Sequence, residues 1–170
     1  MPYITYPECG KIVNTHGCRG GVKVEPWCDS AEVFAALPAV YVKKNGALVR
    51  VPLRRAAVLG NRFVSAELEG VTTMEAADAL RGTVLYANRA DLQIPEGVLL
   101  VAEMIGLPVF DANSGERLGE LADVIHPGAS DIYVIRTASG EAMVPAVPEF
   151  VRSVDIEKGI MLTPIEGMFS

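Results

Sequence analysis

Gly10-Lys11-Ile12-Val13-Asn14-Thr15-His16-Gly17-Cys18-Arg19-Gly20-Gly21-Val22-Lys23-Val24 is the stretch whose reading decides the fold. Lys11-Ile12-Val13 and Val22-Lys23-Val24 alternate polar and apolar side chains at period two, the pattern of a half-buried strand. Between them, Gly17, Gly20 and Gly21 supply backbone that can bend or take a positive φ. The segment therefore reads as two paired strands joined by a shaped loop that carries His16 and Arg19. Two roles stand open for those residues. Loops held on a stiff sheet carry recognition, and glycines also gather where a barrel strand turns a corner.

Working outward, strand patterns recur every eight to twelve residues between turn residues, which predicts an all-β protein. Asp29-Ser30-Ala31-Glu32 resembles a capping box for a short helix ending before Pro38. Strands are expected over 39–43, over 47–51 across the Asn45-Gly46 turn, over 54–59, and over 62–68 across Gly60-Asn61. Thr73 caps an alanine-rich helix over 74–81, which Gly82 stops, and a strand over 83–87 closes the first unit. The pattern then loosens around Asn88 to Gly97. Further strands are expected over 107–111, 118–126, 132–136, 142–144, 154–156 and 160–163. The expected architecture is two β-barrel domains in tandem with short helices, divided as residues 1–90, a linker at 91–97, and residues 98–170. Barrels of about eighty residues bury on the order of 60 to 65 per cent of their surface, so mutual packing or a partner should help to stabilise them.

Half of the 170 residues are apolar, ample for packed interiors. The apolar runs 33–42 and 99–110 are broken by Pro38, Glu103 and Pro108, so no membrane span is expected. Met1-Pro2-Tyr3-Ile4 lacks the basic start and apolar core of an export signal, which makes the cytoplasm the default expectation. Cys9, Cys18 and Cys28 are odd in number, so structural disulfides are not expected. They lack the short paired spacings of a zinc knuckle, so they read as small hydrophobes and no metal is expected. Trp27, beside Pro26, reads as a core filler, with an exposed anchor as the alternative.

Charge divides along the same seam. Residues 1–92 hold 11 basic and 9 acidic side chains, and residues 93–170 hold 4 basic and 12 acidic ones, or +2 against −8. The second half should attract a cationic protein surface. In the first half, Lys43, Lys44, Arg50, Arg54, Arg55 and Arg62 fall in a stretch without an acid. Lys43, Lys44, Arg54 and Arg55 are candidate RNA contacts, against the alternative of a solvated edge whose lysines discourage strand addition.

Catalytic patterns are scarce. The loop around Gly17 lacks the Gly-Lys-Ser/Thr ending of a phosphate loop and precedes a strand. His126 lies where a strand ends and a turn begins, a place for a structural imidazole. Asp123 and Asp131 could meet, but nothing sets the separation that acid and base roles require. The chain is therefore not expected to be an enzyme, nor to hold a cofactor or a small-molecule substrate.

Four ordered blocks support a named comparison. They are Gly10-Lys11-Ile12-Val13 with Thr15-His16-Gly17, Arg19-Gly20 and Val22-Lys23-Val24; Leu68-Glu69-Gly70-Val71 with Ala76 to Gly82; Ile105 to Val109 with Gly115, Leu118-Gly119 and Val124; and Met143-Val144-Pro145 through Val154-Asp155 to Glu166-Gly167-Met168. Together they span nearly the whole chain, which resembles the RimM family of bacterial 16S rRNA processing factors. The resemblance implies a PRC-barrel-like second domain and a non-catalytic assembly factor. It implies binding to the immature small ribosomal subunit, contact with the basic head protein numbered nineteen, and promotion of 16S rRNA maturation. The family often has two adjacent aromatics where this chain has Leu99-Leu100, and Asp-Leu where it has Glu103-Met104. Leucine keeps apolar area but loses the flat stacking face and the hydroxyl. Leu99, Leu100, Glu103, Gly106 and Leu107 are taken as partner-binding positions, as are His16 and Arg19, with packing at the barrel seam as the alternative for Leu99 and Leu100. The rival readings are a PRC-barrel regulatory module and a generic RNA-binding β-barrel.

Overall fold

A computed structural model describes residues 3–169. The chain divides after Ile94 into two compact units. In the first, β1 (Glu8–His16), β2 (Gly21–Pro26), β3 (Ala39–Lys44), β4 (Ala47–Leu59), β5 (Phe63–Leu68) and β6 (Val84–Tyr86) close a barrel in the order β1-β2-β5-β4-β3-β6. Alternation explains its interior. Ile12, Val22, Val24, Val40, Val64 and Leu85 are fully buried, with Phe34 of α1 (Ala31–Ala35) plugging the same core. The cap of α1 sits one residue later than the sequence pattern suggests, because the Ser30 hydroxyl accepts the Val33 N–H. Thr73 caps α2 (Met74–Ala79) as expected, accepting from Ala76 N–H. Asn45 and Gly46 both take positive φ, 53° and 82°, as a two-residue hairpin turn demands.

Two local expectations are corrected. The strands expected over 47–51 and 54–59 are one strand, β4, which runs through Pro52 with its register broken between Leu53 and Arg55. That bulge absorbs the irregularity that reads in sequence as a break. Trp27 is no core filler: it lies past the end of β2, 45% exposed, with its indole N–H donated to the Glu25 carboxylate. Beyond β6, a 3-10 turn (Arg89–Leu92) buries Leu92 in the first core, and Ile94 packs against it.

The second unit carries α3 (Val101–Met104), β7 (Pro108–Asp111), β8 (Arg117–Ile125), β9 (Ile132–Thr137), β10 (Gly140–Pro145), β11 (Val151–Asp155) and β12 (Gly159–Leu162). The strand order is β10-β9-β8-β7-β12-β11, antiparallel except for the parallel pair β12 and β7. Val144 of β10 and Val154 of β11, at opposite ends of that order, pack into one core with Val109, Leu121, Ile135, Ile160 and Leu162. Feeding one core from both edges requires the sheet to curl around it.

Cys9, Cys18 and Cys28 are unpaired thiols. Burial pushes the Cys9 thiol pKa far up, with Cys28 adding to the rise, and burial also raises Cys28. Cys18 is exposed. A limiting thiol reagent at neutral pH is therefore expected to modify Cys18 alone in the folded chain, checked by intact mass and peptide mapping. Labelling of Cys9 or Cys28 at the rate of Cys18 would contradict this burial.

Candidate functional site

The loop between β1 and β2 is held by backbone that only glycine can supply. Gly20 has φ +95°, and a Cβ there would press into the Val71 carbonyl group, 2.7 Å from its carbon. This close approach seats the loop and aims His16, Cys18 and Arg19 over the outer face of the barrel. Across that face, His16 pairs with Gly21, and Arg55 pairs with Glu67. One step along from the Val22–Ala66 pair, Gly21 lies beside Glu67. The row His16, Gly21, Glu67, Arg55 thus crosses four strands, and Gly21 lets the His16 carbonyl oxygen approach where a Cβ would stand.

Over this row lies a cleft of about 320 Å³, lined by His16, Cys18, Arg19, Arg55, Ser65 and Glu67 among others, with Ala57 contributing a small side chain. The β4 bulge matters here. It leaves the consecutive Arg54 and Arg55 both exposed, where strict alternation would turn one inward. Arg19 and Arg55 meet no carboxylate as an ion pair among the described residues. The cleft therefore presents two unneutralised guanidinium groups. Lys43 and Lys44 are exposed at the end of β3, outside the cleft, with the Lys43 ammonium 5.4 Å from the Tyr86 ring centroid.

In the second unit, the residues expected to bind a partner divide. Glu103 is buried, 6% exposed, and its carboxylate accepts the Leu100 backbone N–H at 2.9 Å, capping α3. Leu99 is half-buried and packs on the second core, as does Leu107. Gly106 is exposed with φ +91°, ending α3, and donates its N–H to the Leu121 carbonyl oxygen. Leu100 is half-buried. The exposed apolar surface lies instead on their neighbours: Val98 is 49% exposed, Val101 39% and Ile105 43%. Val101 and Ile105 are four apart and share the outer side of the single turn. That spacing is present in the sequence, hidden within a longer apolar run.

The remaining polar candidates are engaged elsewhere. His126 Nδ1 lies 2.7 Å from the Asp131 carboxylate, which gives Asp131 a partner other than Asp123. Among the described residues, no group of three or more His, Cys, Asp or Glu could hold a metal ion, and no helix is long and apolar enough to cross a membrane.

Comparison with known proteins covers both units. Residues 8–92 match the RimM N-terminal domain, and residues 101–168 match the RimM PRC barrel domain. Proteins described as ribosome maturation factor RimM align over most of their length. That of Symbiobacterium thermophilum is 37% identical, covering 94% of this chain and 91% of its own. That of Ruminiclostridium cellulolyticum is 35% identical, covering 92% of each. That of Clostridioides difficile is 34% identical, covering 97% and 96%. With both halves matched in order and relatives above 30% identity along nearly the full length, the chain belongs to the RimM family.

Proposed function

We propose that this chain is a ribosome maturation factor that binds the immature small (30S) subunit, contacts its basic head protein number nineteen, and promotes 16S rRNA processing. The observation that carries the reading is the exposed apolar face of Val98, Val101 and Ile105 on a unit of net charge −8. Isolated apolar side chains on a surface need no explanation, but Val101 and Ile105 on one side of a single turn, with Val98 exposed just before it, point to a partner. The surrounding negative charge selects a cationic one and speeds its approach. Such binding needs complementary surface and release, with no chemical step.

The mechanism follows from those two properties. The acidic unit covers the basic head protein until its rRNA site has formed, and the first barrel rests against the particle. Sedimentation with salt-washed subunits tests the reading. The full chain is expected to co-migrate with precursor small subunits and not with mature 70S ribosomes. Co-migration with unrelated RNA alone would favour a generic RNA binder.

A further inference from the structure

The cleft over the β1–β2 loop lies on the first barrel, whereas the head-protein contact proposed above is carried by the second unit. The cleft's lining includes the small side chain of Ala57, and its rim carries donors from His16, Arg19 and Arg55. The two arginines come from separate devices: the glycine loop positions Arg19, and period-two alternation with Ala57 on β4 turns Arg55 outward. With no internal ion-pair partner among the described residues, both guanidiniums are available to an outside anion. The volume, about 320 Å³, is at the lower end of small-ligand sites, roughly 300–1,000 Å³. It suits one group entering a hollow, and not the broad face of a duplex.

We propose that this cleft is a binding site for one phosphodiester of a single-stranded RNA, with Arg19 and Arg55 donating to the phosphate oxygens and His16 forming the adjoining wall. The choice of RNA over other phosphate carriers rests on the ribosomal reading above, while the anion site rests on the cleft alone. Glu67, in the same wall beside Arg55, opposes the phosphate charge and sets the affinity low enough for release. Single-stranded segments are where proteins reach RNA groups individually, since duplex grooves restrict access.

The test is fluorescence anisotropy of a short labelled oligouridine titrated with the full chain at several salt concentrations. Arg19→Ala and Arg55→Ala are each expected to weaken binding about tenfold. Each should also make the salt slope shallower by about 0.7, the loss of one single-strand phosphate contact. Ala57→Leu fills the hollow without altering charge and should weaken binding comparably, whereas Glu67→Gln should tighten it. Arg62→Ala is the control, because Arg62 lies outside the cleft against the Phe63 ring, and it should change binding by less than about twofold. Equal weakening by Arg62→Ala and Arg19→Ala would overturn the proposal in favour of a diffuse positive surface. Unchanged binding by Ala57→Leu would overturn it as well. Loss of oligouridine binding with retained particle sedimentation in the arginine variants would uphold the cleft and leave the particle reading intact. A wild-type chain that binds oligouridine but no precursor subunit would overturn the particle reading alone.

Discussion

Val101→Asp combined with Ile105→Asp is expected to reduce co-sedimentation with precursor small subunits by more than about 100-fold in affinity, at two central apolar contacts worth roughly 2 kcal/mol each. Both side chains are exposed in the folded chain, so the fold should hold, with circular dichroism unchanged and stability shifted by no more than about 0.5 kcal/mol per site. The sign of the effect discriminates. If attraction to a basic partner were purely Coulombic, two added carboxylates on a unit already at −8 would strengthen it. Weakening therefore assigns the affinity to the apolar face and leaves charge to set the rate of encounter. Unchanged or tighter binding would remove the Val98-Val101-Ile105 surface from the proposed interface. The corresponding change at Leu99 would be a poorer test, since Leu99 packs on the second core and a buried carboxylate there would unfold the unit.

Gly20→Ala is expected to destabilise the first unit by about 3 kcal/mol or more, through left-handed backbone strain and a clash with rigid main chain. The added Cβ would lie 2.7 Å from the Val71 carbonyl carbon and 2.9 Å from the Thr72 carbonyl carbon, neither of which belongs to a side chain that could rotate away. For a unit of this size the loss corresponds to a midpoint lowered by roughly 10–20 °C. Trp27 is the only tryptophan and lies in the first unit, so its fluorescence reports that transition. Gly17→Ala is the comparison. Its φ of +77° carries the strain, but nothing lies within 4 Å of the added Cβ, and a loss of about 1–2 kcal/mol is expected. Equal losses at both positions would show that the approach to Val71 contributes nothing.

Much of the fold is legible in the sequence because local and long-range preferences agree. The period-two alternation of β1 and β2, the Asn45-Gly46 turn and the Thr73 cap each name an element whose residues need no distant partner to define it. Sequence misleads where a distant partner decides. Residues 47–51 and 54–59 read as two strands, yet β4 continues through both because its neighbours accommodate one extra residue. Glu103 is taken in sequence as a partner-binding position, yet a single helical turn folds its carboxylate back onto the Leu100 N–H. Trp27 is large and apolar, yet the strand ends before the indole can enter the core. His16, Arg19 and Arg55 are each candidates by residue type, but that they line one cleft follows from the register between β2, β5 and β4, which no spacing along the chain encodes.

The parallel pairing of β12 with β7 has a consequence for synthesis. β1 meets its second neighbour, β6, once residue 86 has been made, so the first barrel can complete its hydrogen bonding while the rest of the chain is still being translated. β7 ends at Asp111 but waits for Gly159 to Leu162, so the second unit cannot finish its core until residue 162 has been made. A nascent chain emerging from its own ribosome thus shows a folded first unit while the second is still unfinished, and the acidic surface reaches its working form only once β12 has emerged to meet β7.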